Sequence, residues 1–407
     1  MNMQTLGIIN AVFGGLFMLC YMFQVAYMFI PFVKKMPPHK ETVLHKLAVL
    51  ICARNEENVI GGLIESIKDQ DYPEELLDII LVADNCTDNT AGVARSLGVK
   101  VYERFNSREV GKGYALEYLL SRIDEDMGED RYDAFIVFDA DNRLEKNYVT
   151  EVNKTFSDGY EVVTCYRNSK NYADSWLSAG SGLWFLRESK YLNGSRMRIG
   201  ACPQISGTGF LFSNLIKKEY GGWPFHTLTE DYEFTCHSVI RGKKFGYCED
   251  AVFYDAQVST FRQAWNQRLR WCKGGLQSFS KYMPSLMRGM LSKKFVACYD
   301  MAMSLAPAYI ISMAAVLTNI VYGGVLLANG VGIEDMINPI IAVIMGAYVV
   351  ILSQSVLTTA TEWKKIKAPA YKKILYIFTF PIYLLTFFPI AVCATFKKKV
   401  EWKRITH

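Results

Sequence analysis

FIVFDADN, residues 135–142, decides how this chain is read. Residues 135–138 are apolar and rich in aromatic and β-branched side chains, the composition of a buried strand, and the run ends without a spacer in Asp139. Asp139 and Asp141 are one residue apart, so both carboxylates can reach a single hard cation. Mg2+ or Mn2+ held this way completes its shell with phosphate oxygens and water. It then stabilises negative charge developing on a diphosphate leaving group. An isolated Asp-x-Asp is more often a solvated turn, so the surrounding sequence carries the weight.

Working outward, the same pattern recurs. Residues 47–52 (LAVLIC) form a short apolar run ended by ARNEE (53–57), and a helical pattern follows with Val59, Ile60, Leu63, Ile64 and Ile67 on one face. Residues 79–83 form a second run that ends in Asp84 of VADNCTD. A short helix (90–97) closed by Gly98, a strand (99–102) and a helix (114–123) opened by Gly111-Lys112-Gly113 follow. Such alternation argues for a parallel sheet with helices on both faces, where ligands sit beyond the carboxyl ends of the strands. After a strand at 162–166 the alternation fades. A helix is expected over 174–189, carrying Trp176, Trp184 and Phe185, and a strand over 205–212 (ISGTGFLF) with its glycine pair. This second half reads as an extension of the same domain.

Each motif has a functional and a structural reading. Asp84 can accept a hydrogen bond from a uracil imide, whereas Asp88 suits the cap of the helix starting near Thr90. Lys112 can approach an anion because the flanking glycines clear its path. In TLTED, Glu230 or Asp231 can serve as general base, or Thr229 and its acidic neighbours can cap the helix over 232–240. In QRLRW (267–271), Arg270 offers a planar fork suited to a diphosphate and Trp271 a face for a sugar ring; both also suit an interfacial anchor. The ordered set is stronger than any member.

Charge placement points to a membrane. Residues 1–33, 301–333, 337–361 and 374–396 carry no charge, and each stretch exceeds the roughly 20 residues that cross a bilayer as a helix. The first lacks the basic start of a cleaved signal and reads as a retained anchor. Lys34, Lys35, Lys40 and Lys46 follow it, Lys293 and Lys294 precede the second stretch, and Lys364, Lys365, Lys367, Lys372 and Lys373 separate the third from the fourth. Only Glu334 and Asp335 lie between the second and third. The middle of the chain is therefore expected on the cytoplasmic side. Pro381 and Pro389 interrupt the last stretch, which is expected to be a re-entrant hairpin that keeps the basic tail inside. The expected layout is an anchor (1–33), a soluble domain (34–260), basic amphipathic interfacial helices (261–300), spans (301–396) and a basic tail (397–407). Ten cysteines without a CxxC pair and five histidines without HExxH argue against disulfides in such a domain and against a zinc site. Basic residues track membrane boundaries rather than a groove, so no nucleic-acid partner is expected.

Jointly, ARNEE, Asp84, Lys112, DAD, GTG (207–209), TED and QRLRW resemble the family 2 inverting glycosyltransferases over residues 46–273. The resemblance is to their membrane-integrated branch, which includes cellulose, hyaluronan and poly-N-acetylglucosamine synthases and ceramide glucosyltransferase. It implies an α/β GT-A fold, a Rossmann-like mixed sheet with helices on both faces, in an integral plasma-membrane protein. It implies a nucleotide-diphosphate sugar, usually a UDP-sugar, with Mg2+ or Mn2+. Ala53, Asn55, Glu57, Asp84 and Lys112 would surround the nucleotide, and Asp141 would hold the metal-bound diphosphate with Asp139 beside it. Gln267 and Arg270 would bind the diphosphate. Asp231, with Glu230, would be the base, and Gly207, Thr208, Gly209 and Trp271 would meet the acceptor. The acceptor is expected to be a growing β-linked polysaccharide; a glycolipid is the alternative, and a binding protein with a decayed site is argued against by the intact carboxylates. Ala83 stands where the nucleotide motif often has a second acidic residue, and only one span precedes the domain.

Overall fold

The computed structural model describes residues 3–305, 307–398 and 400. Its eight strands are β1 (Leu47–Ala53), β2 (Leu77–Asp84), β3 (Lys100–Arg104), β4 (Ala134–Asp139), β5 (Arg143–Leu144), β6 (Val162–Ser169), β7 (Phe210–Ser213) and β8 (Phe245–Asp255). They form one sheet in the order β3-β2-β1-β4-β7-β6-β8-β5. The first four strands pair in parallel, and β7 then runs antiparallel to both β4 and β6, so the sheet is mixed.

Register places the site. Cys52 of β1 pairs with Asp139 of β4, and Ala53 pairs with Ala83, one residue before Asp84. The ends of β1, β2 and β4 therefore line up on one edge. β1 and β4 are buried on both faces, which is why their sequences are continuous apolar runs rather than alternating ones. On one face Leu116, Leu119 and Ile123 of the helix Lys112–Met127 pack with Trp223, Phe234 and Val239. On the other, Leu63 and Ile67 of the helix Ile60–Lys68 pack with Tyr148, Val149 and Val152.

One strand boundary is corrected. The strand expected over 205–212 starts only at Phe210, because Gly207 (φ +79°) and Gly209 (φ +62°) turn the chain in left-handed backbone that a strand does not use. The stretch 261–300, where amphipathic helices were expected, holds most of two helices, Phe261–Gly289 and Phe295–Leu305.

Among the described residues, four helices are long and apolar enough to cross a membrane: Met3–Val33, Ile310–Ala328, Ile333–Thr361 and Ala370–Phe396. The first is tied to the soluble domain and to the helix Phe295–Leu305. Ser195 donates to the Tyr27 carbonyl (2.6 Å), and Tyr27 donates to Asp300, which also takes both ends of the buried Arg196 guanidinium at 2.7 Å. The connection after Thr361 docks on the sheet domain: Glu362 accepts from Tyr166, and Asn168 donates to the Lys365 carbonyl (3.0 Å).

The last apolar segment is not a hairpin. Thr386 keeps helical backbone (φ −68°, ψ −13°), so the helices Ala370–Leu385 and Phe387–Phe396 bend without reversing. Both ends nevertheless touch the soluble domain or its long helix. Lys372 donates to the Ala173 carbonyl (2.7 Å) at the start, and Lys273 donates to the Ala394 carbonyl (3.2 Å) near the end. Most of the expected basic tail, residues 401–407, lies outside the described residues.

Candidate active site

The strand ends open into a cavity of about 540 Å3 lined by Ala53, Asp84, Lys112, Asp139, Asp141, Gly207, Glu230, Asp231, Gln267, Arg270 and Trp271. Residues nearly 220 positions apart are thus brought together. Asn55, Glu57, Thr208 and Gly209 are not in the wall. Asn55, in left-handed backbone (φ 59°), laces the first loop to the second: Thr87 N–H donates to its Oδ1 at 2.7 Å. Glu57 does the same through Asn89 N–H (2.9 Å). Asp88 accepts from Thr90 N–H (3.1 Å) and Glu57 N–H (3.3 Å), the structural role open to it.

At the nucleotide end, Asp84 is buried and pairs with Arg104 at 2.7 Å. Lys112 crosses the cavity floor, donating to Asp139 at 2.5 Å and to the Gly207 carbonyl at 2.7 Å. Burial opposes its charge, but Asp139 and then Glu230 outweigh burial and raise its pKa. Gly113 allows this approach in a way the sequence did not suggest. A Cβ there would sit 2.0 Å from the Phe225 carbonyl oxygen, so the glycine seats the helix against the segment leading to TLTED.

Thr208 is a tie beneath the metal-type carboxylates. Asp139 N–H donates to its hydroxyl (2.9 Å), and that hydroxyl donates to Asn142. Gly209 packs on Phe253. Asp141 is buried, and burial, then Asp255 and Asp139, raise its pKa well above the usual carboxylate range. A carboxylate whose ionisation is opposed this way is one that a cation would satisfy. Among the described residues no group of three or more His, Cys, Asp or Glu side chains is placed to hold an ion alone. Two carboxylates plus diphosphate oxygens is, however, the donor set Mg2+ ordinarily uses, so the residues fit such an ion.

Glu230 and Asp231 open the helix Glu230–Arg241. Thr229 holds the N-cap position, but its hydroxyl is buried and makes no capping bond. Burial and then Asp231 push Glu230 up to about 7. Burial also raises Asp231, opposed by the Tyr232 backbone hydrogen bond, Lys112 and Arg270. The preceding loop is fixed by buried Glu233, which accepts from His226 N–H (3.0 Å), Thr227 N–H (2.9 Å) and Lys281 of the long helix. The long helix lies against this loop because residue 274 is glycine: a Cβ there would meet Thr229 Oγ1 at 2.4 Å.

The two arginines of QRLRW do different work. Arg270 faces the cavity and donates to the Leu228 carbonyl at 3.0 Å. Arg268, fully buried, donates to Thr386 (2.6 Å) and the Tyr383 carbonyl (3.2 Å) and lies on the Tyr383 and Phe387 rings. Trp271 meets the edge of Phe185, whose other contact is the Arg167 guanidinium at 3.6 Å. Beyond Trp271 the wall continues through Trp184, Phe387, Leu305, Lys397 and Val400, towards the apolar helices.

Sequence reasoning missed Arg54, Glu56, Arg167, Glu188 and Asp255, all of which line the cavity. Asp255 had a signal, since it ends a strand as Asp84 and Asp139 do. That strand was hidden because Glu249 and Asp250 break its apolar run. Asp255 takes Arg167 as an ion pair and accepts from Asn142 at 2.9 Å.

The class follows from this architecture: the mixed sheet with carboxylates at its strand ends is a GT-A-like glycosyltransferase fold. The mannosyltransferase PcManGT from Pyrobaculum calidifontis, solved with GDP-Man and Mn2+, is similar over 96% of this chain and 99% of its own (TM-score 0.61, 16% identity). The family described as "Glycosyltransferase like family 2" matches residues 45–274, and the chain belongs to it. A beta-monoglucosyldiacylglycerol synthase from Synechocystis is 26% identical over 58% of this chain and 49% of its own length. A poly-beta-1,6-N-acetyl-D-glucosamine synthase from Staphylococcus epidermidis is 21% identical over 65% of this chain and 63% of its own. The chain thus spans between about half and just under two thirds of these relatives.

Proposed function

We propose that this chain is a membrane-integrated, inverting glycosyltransferase that moves a sugar from a UDP-sugar onto the growing end of a β-linked polysaccharide. The observation that carries this reading is one cavity lined by Asp84, Lys112, Asp139, Asp141, Glu230 and Asp231 together with Trp184, Phe185, Trp271 and Phe387. Asp84 accepts from the base, and Lys112, Gln267 and Arg270 hold the diphosphate. Asp141, with Asp139 beside it, would hold Mg2+ or Mn2+, which when bound offsets charge on the departing diphosphate. Asp231 takes the proton of the acceptor hydroxyl as its oxygen bonds to the anomeric carbon and the bond from that carbon to the diphosphate breaks. Direct displacement inverts the centre. Trp271, held by Phe185, carries the acceptor sugar.

The docking of the 362–369 connection supports placing it on the same side as the catalytic domain, and its lysines support calling that side cytoplasmic. A specific observation favours a second reading, a lipid-borne acceptor: Leu305, Phe387 and Val400 make the far wall apolar where it meets the membrane helices. The test is a panel of UDP-sugars given to detergent-solubilised protein with Mg2+ or Mn2+, read as UDP release and then product mass. A ladder of additions supports the polysaccharide; single additions to lipid support the second reading, and no UDP release with any sugar removes both.

A further inference from the structure

One carboxylate in the cavity has no part in the scheme above. Glu188 lies where the helix Trp176–Arg187, which carries Trp184 and Phe185, passes into a π-helical turn, Glu188–Asn193. Such turns are rare and occur often at functional sites. Glu188 lines the cavity with Asp231, and among the described residues no group donates a hydrogen bond to its carboxylate. Arginines are close enough to act on its charge, but none hydrogen-bonds to it. Arg196 grips Asp300, Arg167 grips Asp255 and donates to the Ser206 carbonyl (2.8 Å), and Arg187 donates to Gln24 (3.0 Å). Burial raises the pKa of Glu188, and Arg196, Arg167 and Arg187 oppose that rise without hydrogen-bonding its oxygens. Glu188 is only partly buried and lines the cavity, so its oxygens are open to donors from a ligand.

We infer that Glu188 is an acceptor-binding residue: it takes hydrogen bonds from hydroxyls beside the one that Asp231 deprotonates, so the acceptor ends in a polyhydroxylated ring rather than a lone hydroxyl. This rests on the transferase reading and on Asp231 as base. It adds a recognition element the aromatic wall cannot supply, since a ring face stacks on any sugar while a carboxylate opposite two hydroxyls fixes its rotation. A misrotated ring would present the wrong hydroxyl to Asp231, so Glu188 also bears on linkage.

The test uses the full chain in mixed micelles with the active UDP-sugar, offering octyl β-glucoside, a ring with vicinal hydroxyls, and dioleoylglycerol, with one. Glu188→Gln should raise KM for octyl β-glucoside about 10- to 100-fold, the worth of a charge-assisted hydrogen bond. Its Kd for UDP should stay unchanged, and Glu188→Asp should recover part of the loss. The unchanged Kd also shows that the variant is folded. A KM within threefold of wild type overturns the inference. So does a collapse of turnover with KM intact, which would make Glu188 the base. Preferred transfer to dioleoylglycerol, or transfer to neither probe, also overturns it. Failure of the underlying reading is separate: Asp231→Asn retaining transfer would remove the base whatever Glu188 does.

Discussion

Replacing Gly274 with alanine adds one methyl group where there is no room. The new Cβ would lie 2.4 Å from Thr229 Oγ1, 2.6 Å from its Cγ2 and 2.8 Å from its backbone nitrogen. Closest contact is thus about 1 Å short of ordinary van der Waals separation. Neither partner yields easily. The long helix is bolted through Arg268 to Thr386 and through Leu269 and Cys272 to Ile390, and the loop is pinned by Glu233. Overpacking costs about 1–3 kcal/mol, and helix propensity returns up to about 1 kcal/mol on replacing glycine by alanine. The net loss of stability is then at most about 2–3 kcal/mol. Activity should suffer more. Thr229 immediately precedes Glu230 and Asp231, and misplacing a catalytic group by about 1 Å can cost about 100-fold. The expected result for Gly274→Ala is a roughly 100-fold fall in kcat, with any loss of UDP affinity confined to the diphosphate contacts of Gln267 and Arg270, because Asp84 and Lys112 sit on other elements. Gly62→Ala is the control: a Cβ there meets nothing within 4 Å, and its kcat should not change. Turnover by Gly274→Ala within threefold of wild type would refute the reasoning.

Asp231→Asn should abolish transfer while calorimetry still detects UDP; retained transfer removes Asp231 as base. Turnover should rise with pH as the Glu230–Asp231 pair ionises, since burial raises both carboxylates, Glu230 to about 7, and the base works only when ionised. A flat profile between pH 6 and 8 would contradict this. Arg268→Met should lower the thermal midpoint, because the Thr386 hydroxyl and Tyr383 carbonyl lose a buried charged donor, at about 1.5–3 kcal/mol. Its KM for the donor should not move; a selective rise in donor KM would give Arg268 a diphosphate role instead.

The parallel half of the sheet was legible because its central strands β1 and β4 are buried on both faces and run into a charged residue, as in LAVLICAR and FIVFDAD. β8 was not, since its burial alternates and Glu249 is diverted to Lys190 and Arg198. Motif membership did not separate lining residues from supporting ones. Asn55, Glu57 and Thr208 carry family signatures yet spend their side chains on neighbouring loops. Glu188 carries none and lines the cavity. Spacing records that a residue is needed; only hydrogen-bond partners show for what.

The cavity has two halves of different construction. Donor-side groups, Asp84, Asp139 and Asp141, project from adjacent strands whose register leaves them little freedom. Acceptor-side groups stand on the helix Phe261–Gly289, which owes its position to contacts with an apolar segment: Arg268 on Phe387, Leu269 and Cys272 against Ile390 and Ala394. Gly274 and Glu233 are the points where the second half is held against the first. A shift of the apolar segment would therefore move Arg270 and Trp271 relative to Asp139 without disturbing the strands. Detergents that alter packing at Phe387 should for this reason change acceptor kinetics and the diphosphate contacts of Gln267 and Arg270 before uridine binding at Asp84, and equal loss of all three would show that the halves move as one.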